Sequence, residues 1–328
     1  MRIKYTIRCA EPDDSVRAFQ DTLSFGEGFR QLDVPSSIGV GRLTALEIDS
    51  DFHVNFQFCR LKAPLEVVKE WQEDASRFIT IAFYDLEVPQ KMYIRGDEVV
   101  CDQEGVNIYS GGLDMTLLFP AHTERNVVCV RMQRQKLEAL LGMGKQDYLS
   151  EWLESGQFFL NEPLSPGMRS IIAELRLFPE GKALGRLFYH TRTMNLIYLL
   201  LEQLNRRTGA PCKTTDPLHL GQIFKAKALL LEDLAEPPTI AALANGVLMS
   251  ESQLKQSFRE VFGMSIYQYF QQARLEKAKE LLAENKWTVK EVGYELGFTN
   301  IGHFSRLFER VYHVKPKKFQ LERRETAA

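Results

Sequence analysis

From Tyr5 to about Met132, apolar residues recur in short runs separated by turn residues, a spacing that predicts strands. The runs are Val40–Glu47, His53–Leu61, Phe78–Asp85, Lys91–Ile94, Glu98–Asp102, Met115–Phe119 and Asn126–Met132. His53-Val54-Asn55-Phe56-Gln57-Phe58 alternates with period two, as a half-buried strand does. Ile94-Arg95-Gly96-Asp97-Glu98 reads as a hairpin turn and Gly111-Gly112 as a plain turn. Many short strands at this spacing predict a sandwich or small barrel, a shape that encloses small molecules. Phe56, Phe58, Phe83 and Tyr93 are either pocket lining or core, and core is the commoner role for such residues.

After Gln133 the period changes to that of helices. Gln133–Leu141 and Tyr148–Ser155 are short ones. Ser165-Pro166 starts a third, with a capping residue and then proline at the first helical position. It runs to about Leu177, and Phe178-Pro179-Glu180-Gly181 ends it. A longer helix, about Lys182 to Arg207, carries Leu184, Leu187, Thr191, Met194, Tyr198 and Leu201 in steps of three and four, the spacing of a pairing seam. Ile197, Leu200 and Leu204 widen that stripe, so one face can pack on the chain's own strands while the other meets a second copy. Thr208 to Thr215 reads as a linker.

From Asp216-Pro217 the pattern is helical again, with Leu220, Ile223, Phe224, Leu230, Leu231 and Leu234 stopped by Pro237-Pro238. Beyond it one unit occurs twice. Ile240, Leu243, Ala244 and Leu248 match Val289, Val292, Gly293 and Gly297 at an offset of 49. Ser250, Leu254, Phe258, Phe262 and Tyr269 match Asn300, Phe304, Phe308, Tyr312 and Phe319 at an offset of 50. The one-residue change falls at a turn, where chains absorb insertions. Ser250 with Gln253, and Thr288 with Glu291, are capping boxes, and Asn300 is an N-cap. Each copy is thus a helix, a turn and a second helix with polar tips beside an aromatic anchor, the form of a helix-turn-helix. The helix between them, Ile266 to about Asn285, spans roughly 30 Å at 1.5 Å per residue. That is close to one turn of B-DNA, about 34 Å, so two reading helices can reach successive major grooves.

Composition changes this picture little. The 328 residues carry a formal net charge of −2, but from Leu218 onward there are 16 Lys and Arg against 13 Asp and Glu, or +3, leaving −5 for the rest. That asymmetry points the C-terminal part toward a polyanion. The five cysteines, Cys9, Cys59, Cys101, Cys129 and Cys212, are scattered and odd in number. They suit reduced thiols, not a disulfide framework or a zinc site. His53 and His122 are lone histidines in the strand region, too few for a cupin-type metal site. Asp85 and Glu87 read as strand-end solvation, and no phosphate loop or nucleophile elbow occurs. Neither a signal-peptide core nor an apolar run of spanning length is found, which predicts a cytoplasmic protein with no membrane partner.

The C-terminal residues resemble the AraC/XylS family of bacterial transcription regulators. The matching segments are 240–244, Met249-Ser250-Glu251-Ser252-Gln253-Leu254, Phe258-Arg259-Glu260-Val261-Phe262-Gly263, Arg274-Leu275-Glu276-Lys277-Ala278, Gly297-Phe298, Phe304-Ser305-Arg306-Leu307-Phe308 and Val314-Lys315-Pro316. They cover about residues 218–321, while the first 215 residues resemble the family only in layout. Two positions depart from it: His313 stands where the family usually has Gly, and Gly293 where it often has Ala.

The resemblance implies an α+β chain of two domains. Residues 1–135 would be a β-rich, cupin-like sensor and 136–208 its dimerising helices. Residues 209–217 would be a linker and 218–328 an all-α DNA-binding domain, with helix-turn-helix units at 239–262 and 288–312. It implies a regulator of transcription, an activator by family habit. Double-stranded DNA, RNA polymerase, a second copy and a small effector or protein are the partners, and no cofactor or metal is needed. The first reading helix would offer Ser252, Gln253, Lys255 and Gln256 to base edges and Arg259 to phosphate. The second would offer Gly302, His303 and Arg306, with Asn300 and Arg310 beside them. Arg306 suits guanine and Gln256 adenine, with a phosphate contact as the other role for Arg306. Lys290, Lys317 and Lys318 are phosphate contacts or a solvated face. Rival readings are a DNA-targeted alkyl-transfer repair enzyme, which would need an activated cysteine, and a regulator that takes no ligand.

Overall fold

The computed structural model describes residues 2–7, 28–70, 77–94, 97–100, 104–110, 113, 115–141, 158–179, 183–205 and 219–327. The expected helix Tyr148–Ser155, the turn Gly111-Gly112 and the linker 208–215 lie outside them. Internal packing divides the chain into two units, 1–224 with 260–263, and 225–259 with 264–328.

The first unit is built on two antiparallel sheets. The strands are β1 (Arg2–Ile7), β2 (Phe29–Asp33), β3 (Gly39–Asp49), β4 (Phe52–Leu61), β5 (Leu65–Glu70), β6 (Phe78–Leu86), β7 (Lys91–Ile94), β8 (Asp97–Val100), β9 (Glu104–Ser110), β10 (Met115–Phe119), β11 (Glu124–Gln133) and β12 (Phe159–Glu162). One sheet runs β1-β5-β10-β7-β8 and the other β12-β9-β6-β11-β4-β3-β2. Between the two, Leu43, Cys59, Leu61, Tyr84 and Val127 of the larger sheet pack with Leu65, Val67 and Phe119 of the smaller. Helices α1 (Arg134–Leu141), α2 (Pro166–Leu177) and α3 (Gly185–Asn205) follow. Phe52, Val54, Phe56, Phe83 and Val128, on the other face of the larger sheet, share a core with Ile172 and Leu175 of α2 and Tyr189, Leu196 and Leu200 of α3. Phe56 and Phe83 are therefore core.

This two-sided cover corrects one expectation. β4 alternates in sequence yet is buried on both faces, because Asn55 and Gln57 point between the sheets, under the cover of the smaller one. Its alternation marks two kinds of interior, one apolar and one partly polar. The region 136–208, read as helical, also contributes β12, which pairs with β9 from Phe159↔Tyr109 to Glu162↔Val106. Strand β8 covers Asp97–Val100, paired with β7 from Ile94↔Asp97 to Lys91↔Val100, and the last two residues of the expected run, Cys101 and Asp102, lie outside the described residues.

Helix α2 starts as its sequence indicated: Ser165 Oγ accepts from the Met168 amide at 3.3 Å, and Pro166 opens the helix. Helix α3 buries Tyr189, Thr193, Leu196, Ile197, Leu200 and Leu204 in its own unit. It leaves Leu187 and Tyr198 exposed, as is Leu184 just before it, with Met194 and Leu201 half-buried. No helix among the described residues is long and apolar enough to cross a membrane.

The C-terminal helices are α4 (Leu220–Leu231), α5 (Ile240–Gly246), α6 (Glu251–Phe262), α7 (Ile266–Ala283), α8 (Val289–Glu295), α9 (Ile301–Tyr312) and α10 (Pro316–Ala327). Leu275, Ala278 and Leu282 of α7 form one core with Val292, Leu296, Phe298, Phe304 and Phe308.

Candidate nucleic-acid interface

Two helix-turn-helix units occur, α5-turn-α6 and α8-turn-α9. Local chemistry starts each helix. Thr239 Oγ1 accepts from the Ala242 amide at 3.2 Å, and Ser250 Oγ from the Gln253 amide at 3.3 Å. Thr288 and Glu291 form both halves of a capping box, at 3.2 and 2.7 Å. Hydrogen bonds from the Thr288 backbone amide and side chain hold the Glu291 carboxyl below its ordinary value. Asn300 Oδ1 accepts from the His303 amide at 3.0 Å. A second complete box, Ser265 with Gln268, opens the spacer helix α7; an S-x-x-Q pattern before an apolar run is its signal in the sequence.

The turns are bent by left-handed residues. Gly297 has φ +72°, and its counterpart Leu248 has φ 56°. A Cβ on Gly297 would lie 2.2 Å from the Ala235 carbonyl oxygen, so the loop before α5 lies directly on the second turn. At Gly293 a Cβ would meet Ile301 Cδ1 at 2.6 Å and Phe304 Cδ1 at 3.3 Å. The departure from Ala there therefore lets α8 and α9 cross closely. His313 caps α9 at φ 58°, where the earlier copy has Gly263 at φ 71°. The non-glycine residue at the position where the family usually has Gly thus occupies the left-handed region.

Arg274 holds the second unit together, a role sequence reasoning missed. Its Nε donates to the Leu234 carbonyl at 2.6 Å and its Nη2 to the Ala235 carbonyl at 2.9 Å. The guanidinium lies 4.4 Å from the Phe270 ring centroid and 5.2 Å from that of Phe298. Burial lowers its pKa, and the charge persists because an arginine titrates far above neutrality. The visible signal was an arginine on the stripe Phe270, Arg274, Ala278, Leu282, which is otherwise apolar. Its partners lie about forty residues away in sequence and could not be read there.

The predicted contact residues fall on two polar helix faces. On α6, Ser252, Lys255, Gln256 and Arg259 are exposed and Gln253 is half-buried, while Leu254 and Phe258 are buried on the opposite side. Lys255 pairs with Glu251 at 3.1 Å, an exposed contact weak enough to yield to a phosphate. On α9, Gly302, His303, Arg306 and Arg310 are exposed and Phe304 and Phe308 buried, with Asn300 exposed at its start. Asn300 has one oxygen engaged in the cap, which limits what it can accept from a base. Arg310 lies in the last turn of α9, where a cation also meets the negative end of the helix dipole.

Comparison with known proteins agrees with this geometry. A model described as the regulatory protein PchR N-terminal domain matches residues 40–218, more than half of the chain, and a helix-turn-helix domain model matches residues 243–322. The chain belongs to the AraC/XylS family of regulators, with a PchR-type N-terminal domain.

Among relatives of this AraC/XylS regulator, the arabinose operon regulatory protein of Escherichia coli K12 is 26% identical over 181 residues, covering 53% of this chain and 60% of its own. The transcriptional activator RhaS of Salmonella schwarzengrund is 30% identical over 122 residues, 37% of this chain and 43% of its own. A solved AraC-type regulator from Chromobacterium violaceum is 23% identical, covers 33% of this chain and 96% of its own, and has a TM-score of 0.31. The chain spans 60–62% of the length of the arabinose regulators it matches.

Proposed function

We propose that this AraC/XylS regulator reads a specific double-stranded DNA site with α6 and α9 and controls transcription from it, as an activator. The observation that carries this is the duplication: two capped helices, each with a buried aromatic side and an exposed polar one, joined by a helix of 18 residues. Ser252, Gln253, Lys255, Gln256 and Arg259 form the contact set of the first, and Asn300, Gly302, His303, Arg306 and Arg310 that of the second. The first carries more hydrogen-bonding side chains and does more of the base readout. The relatives are named as regulators, which supports a regulatory chain with no enzymatic activity. A regulator of this kind works in the cytoplasm, where the DNA and RNA polymerase are.

Control comes from the first unit, where a small effector binds between the sheets and alters how the protein engages DNA. A second copy docks on α3, where Leu187 and Tyr198, with Leu184 just before the helix, stay exposed while Leu196, Ile197, Leu200 and Leu204 are buried on its other side. Sedimentation equilibrium on the full chain reports that association directly.

Selection of bound DNA from a random pool tests the central reading. The expected product is an asymmetric site with two contact blocks one helical turn apart, and a single block would overturn it. On that site Arg306→Ala should lose about 1–3 kcal/mol of specific affinity and little on random duplex. Equal losses on both would assign Arg306 to phosphate instead.

A further inference from the structure

We infer that Gly302 is a specificity-determining residue of α9, and that its bare backbone reads the 5-methyl group of a thymine. This rests on the proposal that α9 reads bases in the major groove, and it names what one residue there recognises. Gly302 is the second residue of α9 and is exposed. Arg306 and Arg310 follow at steps of four, so the three share the polar face, away from the buried Phe304 and Phe308.

The chain itself asks little for a glycine here. Gly263 and Gly297 hold left-handed backbone, and Gly293 lets α8 and α9 cross closely. Gly302 does neither. It is helical, and its φ is not positive. Beyond its own backbone and chain neighbours, a Cβ on it would meet one atom of the described residues within 4 Å, Asn300 Oδ1 at 3.2 Å. The first copy shows that a side chain fits beside such a cap. Ser252 stands at the equivalent place in α6, its hydroxyl 3.2 Å from that of Ser250, and Ser250 still accepts from the Gln253 amide at 3.3 Å. Helices disfavour glycine more than any residue but proline. The compensation for it therefore lies in what the exposed face meets. A position without a side chain presents no donor or acceptor to a base edge. It presents room and apolar Cα hydrogens. The apolar group that a base pair shows in the major groove is the thymine methyl. One turn along, Arg306 carries the paired donors that match guanine. The block read by α9 thus contains a thymine recognised by fit and a guanine recognised by hydrogen bonds.

The test moves one methyl group between protein and DNA. In the site selected from the random pool, each thymine of the second block is replaced in turn by deoxyuridine, which lacks only the 5-methyl. Binding of the full chain is then titrated at fixed salt. One replacement should weaken the wild type about 3- to 10-fold. Gly302→Ala should lose a similar factor on the thymine duplex, because its Cβ takes the room of the methyl, and should regain most of it on the deoxyuridine duplex. Asn300→Ser combined with Gly302→Ala gives α9 the smaller cap of the first copy, and it should show the same exchange if the single variant starts the helix poorly. Losses equal on both duplexes, a second block in which no thymine responds to removal of its methyl, or one without thymine would each overturn the assignment. Base reading by α9 would still stand if Arg306→Ala lost affinity for the selected site and not for random duplex. Equal losses from Arg306→Ala on both would overturn that reading as well.

Discussion

Gly297 and Leu248, at the equivalent turns of the two units, both hold left-handed backbone without being interchangeable. Gly297 needs its missing Cβ twice, for φ +72° and for the Ala235 oxygen that a Cβ would strike at 2.2 Å. Gly297→Ala should therefore cost about 2–4 kcal/mol, seen as a lower urea midpoint with an unchanged slope. Leu248 occupies the equivalent turn at φ 56° and is 89% exposed, so its side chain offsets none of the strain by packing. Left-handed backbone costs a non-glycine residue about 1–2 kcal/mol, and a glycine gives back part of that through its looser unfolded chain. Leu248→Gly should then stabilise by about 0.5–1 kcal/mol and raise the melting temperature by a few degrees. A fall in melting temperature would show that Leu248 is held by contacts outside its turn.

At the scale of elements, caps decide where helices begin. In the Thr288 box the Glu291 carboxyl titrates below its ordinary value of 4.5 because the folded backbone favours its charged form. Its contribution is complete above that value and is lost as the pH falls through the lowered folded one. The stability difference between wild type and Glu291→Gln should be constant near neutrality and close in acid; a difference independent of pH would assign the cap to Thr288 alone. Such caps were legible because they depend on residues three apart. The runs over β6, β7, β10 and β11 were legible because their apolar residues are dense and bounded by turns. β2, β5, β9 and β12 were not, since short mixed runs such as Glu104–Ser110 become strands only through partners far along the chain. The sequence did not single out the residues that face between the sheets. Phe83 is core, the commoner of the two roles open to it, since period two sends it to the helix-covered face and its neighbour Tyr84 to the space between the sheets. Sequence gives the alternation of faces and not which sheet or helix covers each.

At the scale of the molecule, the spacer sets what DNA the regulator can use. Helix α7 is 18 residues long, about 27 Å. It is fixed along its length, by Leu275, Ala278 and Leu282 in the core of the second helix-turn-helix and by Arg274 on the loop before the first. No flexible segment lies between α6 and α9 beyond the short turns at each end of α7 and α8. The two reading helices should therefore bind as one rigid body with a single phase on the duplex. Once the selected site is known, 5 base pairs inserted between its blocks turn the second away by about half a turn, and 10 restore the phase while adding about 34 Å. Both insertions should weaken binding to the level of the first block alone, by roughly 10- to 100-fold, in a gel-shift titration at fixed salt. Recovery with 10 base pairs would mean that the helices reach independently and that α7 bends or opens. Equal affinity for all three duplexes would mean that α9 reads no bases, so that Arg306 and Arg310 on its polar face serve only to position the chain.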